Sequence, residues 1–214
     1  MTNPVITEAR FHEFCRSKDF TPEYLKSSPM LRRSLVTGIR IALCEPVEPR
    51  EVEINGTLTG VLQGALDAIR FFSAEVDELA AISHVANLLG HTEIVNEKSR
   101  FKGAYEYFGA SLQRRSHSLG EFFAHRLFDV SLSQGDGAML RLVLGIREPA
   151  LCLFVKKVVL PALQDRGDAT RLVELVGDNY EFGSFCIHNS LTAMVRHIKS
   201  QSQKGKLLEI DLGM

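Results

Sequence analysis

A short apolar helical pattern recurs three times along this chain at near-constant spacing. The stretch Leu119–Phe128 (LGEFFAHRLF) reappears over Leu151–Leu160 (LCLFVKKVVL) and over Phe182–Leu191 (FGSFCIHNSL), at offsets of 32 and 31 residues. A period in this range belongs to stacked helical units, in which each unit buries its apolar face against its neighbours. A second register agrees on the period. Leu132–Val143 (LSQGDGAMLRLV) matches Leu163–Val173 (LQDRGDATRLV), and both carry a Gly-Asp pair before an apolar run. Glycine ends one helix and aspartate caps the next, so the repeating unit reads as helix, Gly-Asp turn, helix, short connector.

The N-terminal stretches carry helix signals of their own. Phe11, Phe14 and Cys15 share one face of a predicted helix over 7–16. Thr21-Pro22 and Ser28-Pro29 each place a capping residue before a proline at the first helical position. The second opens a helix through Met30, Leu31, Leu35, Ile39 and Leu43. Residues 45–56 (EPVEPREVEING) hold two prolines and a closing Asn-Gly, which predicts a loop and an internal boundary. Thr57 is expected to cap a helix that turns Val61, Leu62, Ala65, Leu66 and Ile69 inward. Ser73 is expected to cap the next, with Val76, Leu79, Ala80, Ile82, Ser83 and Ala86 on its packed stripe and Gly90 as its breaker. Further helices are expected over 92–98 and 101–115.

The expected fold is therefore all-α: stacked helix pairs of an α-solenoid-like domain over 57–200, a helical N-terminal cap over 1–56, and a polar tail or docking segment over 201–214. Alternation of strand type is confined to Val52 and Ile54.

Charge and cysteine usage narrow the function classes. The 214 residues carry a formal net charge of −1, whereas a dedicated nucleic-acid-binding domain is usually strongly basic. The exception is local. Residues 141–206 hold ten Lys or Arg against six Asp or Glu and end in Arg196, His197, Lys199, Lys204 and Lys206. Cys15, Cys44, Cys152 and Cys186 form no CxxC clip and sit among apolar neighbours, as small buried hydrophobes of a reducing compartment do. No apolar run reaches the ~18 residues of a membrane span, so no integral membrane segment is expected. Met1-Thr2-Asn3-Pro4 lacks the basic-then-apolar layout of a secretory signal. The default expectation is cytoplasmic, with non-classical secretion left open.

Two families of helical repeat share features with these units. The Gly-Asp turns, and Gly90-His91-Thr92-Glu93, resemble the helix-to-helix turn of ankyrin repeats. Asp178-Asn179-Tyr180-Glu181-Phe182-Gly183-Ser184-Phe185 resembles the second helix of the Pumilio-like RNA-binding repeat. In that family each repeat reads one base, an aromatic stacking on it while polar neighbours reach its edge. The resemblance implies Phe122, Phe154 and Phe185 as stacking residues. It implies Glu121 and His125, Leu153 and Lys157, and Ser184 and His188 as edge readers; separately, the basic end with Arg196 and Lys199 is a candidate surface for an acidic partner. Leu153 has no group that can hydrogen-bond a base, which departs from that pattern, and phenylalanines at helical spacing are more often core residues.

Enzymatic motifs are sparse. His117, Glu121 and His125 fall at i, i+4 and i+8, a column that could face a metal, but their surroundings read as polar surface. No HExxH, nucleophile elbow, phosphate loop or dinucleotide fingerprint occurs. No cofactor and no metal are expected. The expected function is non-catalytic protein interaction by a helical-repeat module, with a protein partner. The alternatives are a Pumilio-like single-stranded RNA-binding protein and an enzyme whose Cys-His site is assembled by the fold.

Overall fold

The computed structural model describes residues 7–90, 108–137, 140, 143, 169–176, 196 and 200. All regular elements among them are α-helices, with no strand. In chain order they are α1 (Glu8–Arg16), α2 (Pro22–Ser27), α3 (Pro29–Ala42), α4 (Pro49–Asn55), α5 (Leu58–Phe71), α6 (Glu78–Leu89), α7 (108–115), α8 (His117–Gln134) and α9 (Ala169–Val176). The chain forms two compact units, residues 1–127 and 128–214.

Capping chemistry sets most of the starts in the first unit. The hydroxyls of Thr7, Thr21 and Thr57 accept from the N–H groups of Arg10, Tyr24 and Gly60, three residues on. Ser28 precedes Pro29 as expected, yet its side chain makes no capping bond and proline alone pre-sets the entry to α3.

Two expectations fail here. Residues 49–55 are helical rather than loop. Pro49 occupies the first turn, and the Glu51 carboxylate accepts from the Glu48 N–H at 3.3 Å. Arg40 of α3 then clamps the segment: its guanidinium donates to Glu51 at 2.6 Å, to Glu45 at 3.3 Å and to the Pro46 carbonyl at 2.6 Å. The candidate boundary at 56 therefore lies inside the first unit. The second failure is the start of α6. Asp77, not Ser73, accepts from Ala80 N–H, at 3.0 Å. The later start selects a different stripe, so Ala81, Ile82, Val85, Ala86 and Leu89 are buried while Leu79 is half exposed.

The core of this unit gathers Phe14 and Cys15 of α1, Leu25 of α2, Leu35 and Ile39 of α3, Ile69 of α5 and the following Phe72. Its centre is the α3–α5 crossing, the most extensive helix contact described. The crossing is made by small residues. A Cβ on Gly38 would fall 2.6 Å from the backbone of Gly64 and Ala65, and one on Gly64 would fall 3.3 Å from the Ser34 carbonyl. Ser34, itself buried, donates from its hydroxyl to the Asn55 carbonyl at 3.0 Å and fastens the end of α4 to α3. Lys18 reaches the largely buried Asp67 carboxylate at 2.8 Å and ties the turn after α1 to α5.

Arg40 has a consequence for acid stability. Its hydrogen bond holds the Glu51 carboxyl below the ordinary carboxylate range. A carboxyl whose folded pKa is depressed contributes stability above its unfolded value, and that contribution is lost as pH falls through the folded value. Glu51→Gln should therefore flatten the urea-midpoint profile between about pH 5 and pH 3. A profile as steep as the parent's would show that Arg40 gains nothing from Glu51.

In the second unit the Gly135-Asp136 pair forms a turn between helices. Gly135 adopts φ +70°, the left-handed conformation that glycine enters without a Cβ penalty, and closes α8. Asp136 follows, and its carbonyl accepts from Leu140 N–H at 3.0 Å, starting the next helix. Arg171 of α9 donates to the Ser133 carbonyl at the end of α8, at 2.9 Å. α9 spans Ala169–Val176, and the Gly167-Asp168 pair expected to start it lies outside the described residues.

Candidate functional site

The residues singled out by the repeat are only partly placed. α8 runs unbroken through the first copy, and its inward row is Phe123, Ala124, Leu127 and Phe128, all fully buried. Phe122 is half-buried beside that row, and Phe123 is the ring in contact with Phe108, at 4.9 Å between centroids. His125 is half-buried, and His117 is exposed. Among the described residues no group of three or more His, Cys, Asp or Glu converges as a metal site, so the His117–Glu121–His125 column is not brought together as one. Arg196 is helical and exposed. Phe154, Lys157, Phe185, Ser184, His188 and Lys199 lie outside the described residues, as do the expected helix over 92–98 and the tail over 201–214.

The cysteines also bear on the site. Cys15 is buried and Cys44 half-buried, and both are free thiols. Burial pushes the Cys15 thiol up against the pull of Arg32, and burial together with the Asp77 charge pushes Cys44 up. A nucleophilic thiolate needs the opposite shift.

A concave surface appears instead on the outer face of α1, α2 and α3. Two adjoining cavities of about 540 and 560 Å³ share Leu25, Lys26 and Arg32. Phe11, Phe20 and Pro22 complete the apolar lining of the first, and Pro29 and Val36 that of the second. Each wall follows from local sequence. Phe14 and Cys15 anchor α1 in the core, which turns Phe11 half outward and places His12 and Arg16 on the rim. In α3 the buried row of Leu35, Ile39 and Ala42 leaves Arg32, Val36 and Arg40, spaced at four, along the outer face.

No protein family, curated protein or solved structure matches this chain. The reading of the groove rests on its own residues.

Its electrostatics are one-sided. Arg16, Lys26, Arg32, Arg33 and Arg40 line it, against the single carboxylate of Glu8. Arg40 is committed to Glu45 and Glu51. Glu8 faces His12 at 3.7 Å. Among the described residues no carboxylate pairs with Arg16, Lys26, Arg32 or Arg33, and all four are exposed. Tyr24 of α2 and Met30 of α3, outside the lining, are 51% and 57% exposed. The sequence reading missed this face. Its signal was available as apolar residues at 11, 20, 25 and 36 interleaved with Arg16, Lys26, Arg32 and Arg33, but they come from three helices and no single period joins them.

His84 of α6 stands apart from the groove. Its Nε2 is buried with no hydrogen-bond partner, and burial lowers its pKa below 6.5. A histidine held neutral by burial contributes stability above its unfolded pKa, and that contribution is lost as pH falls below it. The urea midpoint should drop between pH 7.5 and pH 5.5 by more in the parent than in His84→Leu, about pH 6.5 being the pivot. Equal drops would place the sensitive group elsewhere. Among the described residues no helix is long and apolar enough to cross a membrane.

Proposed function

We propose that this chain is a non-catalytic protein-interaction module that takes its partner in the α1–α2–α3 groove. One observation carries the reading: two adjoining hollows with an apolar lining, whose rim cations Arg16, Lys26, Arg32 and Arg33 have no carboxylate partner among the described residues. Exposed apolar surface of this kind on a folded domain marks a place where something docks. Four exposed cations around it supply steering and register rather than fold stability, since exposed ion pairs contribute little to folding. The described thiols, raised by burial, support binding over catalysis. The repeat-like stack of helix pairs over 57–200 belongs to the same reading, on the strength of the 32- and 31-residue offsets and the Gly135-Asp136 turn. In it, the repeats form a scaffold and the N-terminal helices present the docking face.

A site-specific photo-crosslinker tests this directly. Val36 lines the groove and is 40% exposed; Leu79 of α6 is 50% exposed and does not line it. A benzophenone side chain at position 36, in native lysate, should give an adduct of discrete protein mass that position 79 does not give. Arg32→Glu with Arg33→Glu should abolish the adduct. Equal labelling from both positions, or indifference to the charge reversal, would exclude the groove as the docking face.

A further inference from the structure

We infer that the occupant of the groove is an acidic amphipathic segment of the partner, a short stretch presenting apolar side chains flanked by carboxylates. The inference rests on the docking reading above and adds the partner's chemistry to it.

The charge count decides the sign. With Arg40 neutralised by Glu45 and Glu51, four cations remain around the two cavities, and among the described residues Glu8 is the only carboxylate lining them. An occupant without negative charge would leave Arg32 and Lys26, which belong to both cavities, partly desolvated and unpaired. Covering cations without pairing them carries a desolvation penalty, and paired carboxylates remove it.

Shape decides the class. The floor is concave, and two adjoining hollows about Leu25 accept separate side chains. A lipid surface is met by convex apolar protrusions that enter it, whereas side chains projecting from a chain segment fill hollows. The α3 wall gives the spacing. Arg32 and Val36 are one helical turn apart, and Arg33 and Thr37 repeat the step beside them. Charged and uncharged positions thus alternate turn by turn along this wall. A partner helix complements it with carboxylates about one turn from apolar anchors at i, i+3 or i+4, and i+7.

The test is selection from a phage-displayed library of random 16-residue peptides on the full chain, followed by titration of the best synthetic peptide. Parent, Arg32→Glu with Arg33→Glu, and Val36→Asp are compared at low and high salt. All three positions are exposed, and matching urea midpoints will establish that the variants fold. Enriched peptides should carry an excess of Asp and Glu with apolar residues at helical spacing. The double reversal should weaken binding at least tenfold and remove most of its salt dependence, and Val36→Asp should weaken it at both salts. Neutral or basic peptides that bind the groove and are lost in Val36→Asp would overturn the acidic occupant and leave the docking reading standing. Failure to select any peptide sensitive to either variant would overturn both. Co-sedimentation with phosphatidylcholine vesicles containing 30% phosphatidylserine, lost on reversing Arg32 and Arg33 while no peptide is selected, would overturn the proposal in favour of a membrane surface.

Discussion

Gly38→Ala should be among the most damaging single-atom additions in this protein, costing about 3 kcal/mol or more, at the upper end of what overpacking imposes. The added Cβ would sit 2.6 Å from both the Gly64 carbonyl carbon and the Ala65 nitrogen. These are backbone atoms of a buried helix, so no side chain can swing away, and α3 and α5 must part along their length. Alanine's better helix propensity returns only about 1 kcal/mol. Gly64→Ala is the internal control. Its Cβ would meet the Ser34 carbonyl at 3.3 Å, which a shift of a few tenths of an ångström relieves. Propensity should then offset most of the contact, leaving a change within about 1 kcal/mol. Urea denaturation of the two variants checks the order. Equal destabilisation would mean that the α3–α5 crossing is looser than its backbone separation indicates. Total folding stability is typically only about 5–15 kcal/mol, so a loss of this size is a large fraction of it.

The sequence carried the helices more clearly than their faces. Thr7, Thr21 and Thr57 are legible because a capping hydroxyl acts on an N–H three residues away, within one window of sequence. The Gly135-Asp136 turn is legible for the same reason: a left-handed residue followed by a cap is a local event. α4 is hidden in the sequence because its prolines and charges read as loop, while what holds it, Arg40 of α3, lies outside the segment itself. Ser73 and Asp77 are both good capping residues, and choosing the wrong one rotated the predicted stripe of α6. In α8 the repeat alignment singles out Phe122, which is half-buried, while the neighbouring Phe123 is the fully buried ring. The groove needed three helices in place before its charges became neighbours, and no local pattern encodes that.

Truncation of Phe14 should have the other large effect, and it links the core to the groove. Phe14 is fully buried, with ring centroids 5.5 Å from Phe71 and 5.7 Å from Phe72, so one side chain of α1 reaches the end of α5. Phe14→Ala should cost about 3–5 kcal/mol, the range for removing a buried ring and leaving its cavity. Part of that loss is specific to the aromatic geometry, about 0.5–1.5 kcal/mol for a ring pair beyond its burial. Phe14→Leu keeps most of the volume and should therefore lose clearly less. The functional consequence follows from what else α1 bears. Phe11, His12 and Arg16 line the first cavity, and α1 is nine residues long, too short to hold a helical conformation unaided. Besides Phe14 and Cys15 in the core, α1 is held by Phe11, half-buried against that core, and by Arg10, which lies over the Phe71 and Phe72 rings and pairs with Glu75 in an ion pair about 40% exposed that contributes little. Phe14→Ala should accordingly raise amide exchange across α1 before it raises exchange in α5, and weaken docking of an acidic peptide even where the rest of the unit stays folded. Exchange measured by mass spectrometry on Phe14→Ala and Phe14→Leu decides it: uniform deprotection of α1 and α5 together would mean that α1 is part of one indivisible folding unit, and that the groove cannot be loosened without unfolding the core beneath it.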